Sequence, residues 1–200
     1  EYMVCAAVRA KELGLLTTEG NPKPVLKEMG RLRKILEDLP FQTLPPRITE
    51  GVCILNSEQD HWGVALSTFI LSKQAGFDIE FQYEDQPLKD SSLYLVPCIT
   101  GVKGVRQSRW EEILCRVSQG AVLYISMDDG YISEFEKLAG LLVKTRSRRN
   151  GKADVTFDGE LKGLELKFDG TLKWEMEPTR ASVLGRESDG NVVFASTEYG

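Results

Sequence analysis

The sequence predicts an open parallel α/β sheet with helices on both faces, followed by a β-rich segment. Short uninterrupted apolar runs at 52–55 and 93–96 are typical of strands buried on both faces. Helical patterns at 63–75 and 108–119 follow them, each ending near a glycine. Strands that alternate with helices pair in parallel, because a parallel crossover needs a dozen or more residues.

The remaining elements follow from the same patterns. We expect further strands at 77–81 and 121–125, and a short helix that Ser133 and Glu136 open as a capping box. After residue 145 the runs alternate and glycines interrupt them, which predicts antiparallel strands that could extend the edge of the parallel sheet. The stretch 188–191, Ser-Asp-Gly-Asn, is a good hairpin turn.

The first 40 residues have a different character. Residues 1–39 are predicted to be helical, with an apolar stripe through Leu26, Met29 and Leu32 and a start at the Asn-Pro-Lys-Pro of 21–24. Three prolines between residues 40 and 46 then stop the helix. The predicted organisation is a helical leader at 1–40, a proline-rich linker at 41–50, an α/β domain at 51–145 and its β-rich extension at 146–200.

Composition narrows the function classes. The 200 residues carry a net charge of −5, which argues against a broad nucleic-acid surface, and no apolar run reaches the ~18 residues of a membrane span. The four cysteines form no C-x-x-C pair and the chain opens without a secretory leader, so free thiols and a cytoplasmic location are expected. We interpret the basic cluster at 144–149 as a solvated loop beside Asn150-Gly151.

Ligands of open α/β sheets bind beyond the carboxyl ends of the strands, and three loops qualify here: 56–62, 98–104 and 126–131. The first loop holds Asp60, His61 and Trp62, and the second holds Thr100. Trp62 could stack on a sugar ring or pack at the helix start. These side chains are candidates for ligand binding, and no catalytic or metal-ligating set is predicted.

Asp128 and Asp129 follow the fourth strand. Paired carboxylates can transfer protons or bind a cation. An Asp-Asp-Gly sequence before a helix serves equally well as a turn with favourable helix-start charge. Both interpretations remain open, and the second is preferred.

Two further hypotheses concern enzymatic or binding activity. Cys98 follows the third strand and could act as a nucleophile if His61, the single histidine, served as its base. A G-x-S-x-G elbow or its cysteine equivalent is absent. Gly101-Val102-Lys103-Gly104 lacks the spacing of a phosphate loop, and no cofactor is expected.

Two stretches carry a family resemblance. Residues 14–24, GLLTTEGNPKP, resemble the turn that leads into the last helix of a glycoside hydrolase (β/α)₈ barrel. Residues 93–101, LYLVPCITG, together with 110–130, are similar to the glutamine-amidotransferase-like domain that follows the barrel in family 42 β-galactosidases, often called the trimerisation domain. The last residues, 192–200, resemble a strand end of that domain.

The resemblance implies a role for this chain within a larger enzyme but assigns it no catalytic residues. A barrel takes about 250 residues, so only its final segment fits before residue 40, and neither catalytic carboxylate of such enzymes can be assigned here. The implied function is a non-catalytic accessory domain that packs on its own barrel and on neighbouring subunits, with carbohydrate near the strand-end loops. The alternative is an amidohydrolase or amidotransferase that uses Cys98 and His61.

Overall fold

The structure is a computed structural model that describes residues 14–17, 19–40, 47–56, 62–101 and 104–200. The chain divides into two compact units, residues 1–47 and residues 48–200. Among the described residues, no helix combines the length and apolar character that crossing a membrane requires.

The described part of the first unit is a turn followed by one helix. Helix α1 spans Pro24–Glu37, with Pro24 in its first turn, where the missing N–H costs nothing. The prediction of helix throughout 1–39 is wrong for residues 14–17 and 19–23, because Leu16 and Pro22 form an antiparallel bridge there. Residues 1–13 lie outside the described part of the chain.

The second unit opens with alternating strands and helices and ends in strands. Its helices are α2 (Trp62–Gln74), α3 (Gln107–Ser118) and α4 (Phe135–Ala139). Its first five strands are β1 (Gly51–Leu55), β2 (Ile79–Tyr83), β3 (Leu93–Ile99), β4 (Val122–Met127) and β5 (Leu141–Arg148). Five more follow: β6 (Ala153–Phe157), β7 (Glu165–Phe168), β8 (Leu172–Pro178), β9 (Ser182–Glu187) and β10 (Val192–Ser196).

The first four strands form one parallel sheet in the order β2-β1-β3-β4. This is the beginning of the flavodoxin-like strand order, in which the direction of strand addition across the sheet reverses between β1 and β3. The predicted fold class is confirmed: an open parallel α/β sheet with helices on both faces, followed by a β-rich C-terminal segment.

Alternate residues of the parallel strands enter two different apolar clusters, one on each face of the sheet. Ile54, Tyr94 and Val96 pack with Trp110 and Ile113 of α3. On the other face, the cluster of Cys53, Leu55, Ile79 and Leu95 receives Val64 and Ala65 of α2. The period of two in the strands therefore places α2 and α3 on opposite faces.

The β-rich segment forms two antiparallel sheets of its own. One has the order β10-β9-β6-β7 and the other pairs β5 with β8. In the described strands none of these joins the parallel sheet, contrary to the expectation of an edge addition. Instead Val192 and Leu141 enter the same apolar cluster as Trp110.

Two local predictions are wrong. The basic cluster at 144–149 is not a loop, because Leu141–Arg148 is strand β5 and Lys144 pairs with Glu177 at 2.5 Å. Ser133 does not cap α4: Glu134 occupies the N-cap with φ 54°, and no side chain caps the helix.

Candidate functional site

The loops after β3 and β4 are bound to each other at the carboxyl end of the sheet. The carbonyl oxygen of Ile99 accepts hydrogen bonds from the N–H groups of Asp128 and Gly130, each at 3.0 Å. The Gly101 N–H donates to Oδ1 of Asp129 at 2.8 Å. The described residues of 98–104 and 126–131, two of the three loops considered for ligand binding, therefore lie together.

Gly130 makes this close approach possible. A Cβ atom at this position would lie 2.6 Å from the Ile99 carbonyl oxygen, well inside van der Waals contact. The glycine of the Asp-Asp-Gly sequence is thus required by the packing of one loop on the other. This observation favours the structural interpretation of that sequence.

The residue that follows β1, Asn56, contributes a buried side-chain amide to this edge of the sheet. Asn56 is 6% exposed and donates from Nδ2 to the carbonyl oxygen of Gly104 at 3.1 Å. It ties the end of β1 to the loop before α3. The candidates Asp60 and His61 lie outside the described residues, so their place in this cluster stays a prediction.

Two residues that the sequence analysis did not select complete the cluster. The indole N–H of Trp174 donates to the Asp128 carbonyl oxygen at 2.8 Å, and a guanidinium N–H of Arg146 donates to the Asp129 carbonyl oxygen at 2.6 Å. The Arg146 guanidinium also lies over the Trp174 ring, 5.2 Å from its centre. Strands β5 and β8 thereby hold both backbone carbonyls of the aspartate pair.

The aspartate pair therefore makes contacts that stabilise the packing of the strand-end loops. Asp129 is exposed but engages Gly101, and Asp128 is half-buried. Thr100 is half-buried in the loop after β3, next to Gly101. Trp62, the first residue of α2, is 75% exposed. Ligand binding by any of these candidates stays a prediction.

Cys98 has an unusual backbone and an unreactive environment. Its φ is 54°, in the left-handed region that non-glycine residues seldom adopt, and its N–H donates to Oγ of Ser126 at 2.8 Å. Burial raises the pKa of the Cys98 thiol, and the charges of Asp128 and Asp129 raise it further. Because the thiolate is the nucleophile, these neighbours oppose the role that the amidohydrolase alternative requires.

In the part of the chain that the structure describes, no group of three or more His, Cys, Asp or Glu side chains is arranged to hold a metal ion. Cys53 is fully buried, and burial raises its pKa to about 12. It is therefore an inert core thiol.

Fold and site together define an α/β domain in which the described residues of the loops after β3 and β4 bind each other and strands β5 and β8. The sequence matches no protein-family model and no curated protein. Among solved structures it is similar to Gan42B, a GH42 β-galactosidase, with a TM-score of 0.68 and 12% identity over 94% of this chain and 31% of that one. It is also similar to a β-galactosidase from the psychrophilic Marinomonas ef1, with a TM-score of 0.55 and 14% identity over 93% of this chain and 32% of that one.

A third similar structure is α-L-fucosidase isoenzyme 2 from Paenibacillus thiaminolyticus. Its TM-score is 0.53 at 12% identity, over 76% of this chain and 27% of the fucosidase. The chain thus spans about a third of the length of the glycosidases it matches. At these identities the comparisons show a shared fold with domains of glycoside hydrolases.

Proposed function

We propose that this chain is an accessory and assembly domain of a glycoside hydrolase of the β-galactosidase kind and does not itself catalyse hydrolysis. One observation carries the proposal: 94% of the chain superposes on only 31% of a GH42 β-galactosidase. Its counterpart there is therefore one part of a larger enzyme. The domain would pack on the catalytic barrel and on neighbouring subunits.

The geometry of the sheet end supports a non-catalytic role. Glycoside hydrolysis needs two carboxyl groups about 5–10 Å apart across a sugar. The side chain of Asp129 instead accepts a hydrogen bond from the Gly101 N–H. The backbone carbonyl oxygens of Asp128 and Asp129 accept hydrogen bonds from Trp174 and Arg146, respectively. These contacts favour a packing role for the pair over a role in straddling a substrate.

The natural reading frame upstream of Glu1 tests this proposal. We expect it to encode a (β/α)₈ barrel with two strand-end carboxylates, and we expect the full-length product to hydrolyse a glycoside. An upstream frame without a barrel would contradict the proposal. Removal of the 200 residues from the full-length enzyme should then lower its assembly state or its thermal stability while the catalytic carboxylates remain in place.

A further inference from the structure

We draw no further inference here: the strongest candidate, the exposed apolar surface formed by helix α2 and the neighbouring edge strand β2, carries none, because nothing in the part of the chain that the structure describes shows what covers it.

Discussion

Arg149 and Glu187 form a buried, two-bond ion pair between the end of β5 and the end of β9. The guanidinium donates to the two carboxylate oxygens at 2.6 and 2.8 Å, and the side chains are 8% and 7% exposed. Asn191 and Lys173 lie within reach of the same carboxylate, at 3.4 and 3.8 Å. The pair therefore links the two sheets of the β-rich segment inside a desolvated polar network.

We predict that Glu187→Gln lowers the free energy of unfolding by roughly 3 kcal/mol, because it leaves the Arg149 charge buried without its partner. Urea denaturation measures this change. The control is Lys152→Ala, which removes an exposed pair with Asp169 at 3.8 Å and should change the free energy by less than about 1 kcal/mol. Equal losses in the two variants would contradict the importance assigned to the buried pair.

The same pair predicts a dependence of stability on pH. The hydrogen bonds from Arg149 hold the pKa of Glu187 below its ordinary value of 4.5. The stabilisation is therefore complete above the unfolded-state pKa and is lost as the pH falls through the lower folded-state pKa. Between wild type and Glu187→Gln, the difference in unfolding free energy should shrink on acidification below about pH 4.5. A constant difference down to acid unfolding would contradict this.

The parallel sheet could be predicted from sequence because its strands are apolar on both faces. Gly51–Leu55 is buried at every position, so the pattern is visible without any knowledge of its neighbours. Strand β5 was missed because Lys144, Arg146 and Arg148 alternate along it and suggest a solvated loop. Their neighbours on β8, including Glu177 and Trp174, come from a distant part of the chain, so no local period reveals the pairing.

The candidate site was also predictable only in part. The loops after β3 and β4 had to meet, because the carboxyl ends of adjacent parallel strands lie at one edge. The contact of Trp174 with Asp128 was not predictable, since 46 residues separate them and an antiparallel sheet brings them together. The left-handed backbone of Cys98 also has no sequence signal, because it arises at an irregularity in the β3–β4 register.

Gly130→Ala tests the packing of the strand-end loops. The new methyl group would meet the Ile99 carbonyl oxygen at 2.6 Å, so one loop must move and the two hydrogen bonds to that oxygen weaken. We expect a loss of about 1–3 kcal/mol in unfolding free energy. Gly63→Ala, in α2 with no atom within 4 Å of the added Cβ, should instead be neutral or stabilise by up to about 1 kcal/mol. A neutral Gly130→Ala would contradict the described geometry.

Alkylation tests the state of Cys98. Because burial and the two aspartates raise its pKa, Cys98 should react with iodoacetamide at pH 7.5 more slowly than a free thiol such as glutathione. Exposed Cys115 provides the internal control. Mass spectrometry of the two cysteine-containing peptides measures the extent of alkylation at each site. Asp128→Asn should accelerate the reaction at Cys98, since it removes a charge that opposes thiolate formation. Rapid modification of Cys98 in the wild type would favour the amidohydrolase alternative.

Hydrolysis of nitrophenyl glycosides by the purified 200-residue chain tests the central claim, that this domain serves a glycoside hydrolase without catalysing the reaction. We predict no release of nitrophenol above the rate without protein for β-galactoside, α-fucoside or β-glucoside. Asp128→Asn and Asp129→Asn should both fold, with at most a small loss of stability. Hydrolysis that either substitution abolishes would contradict the account.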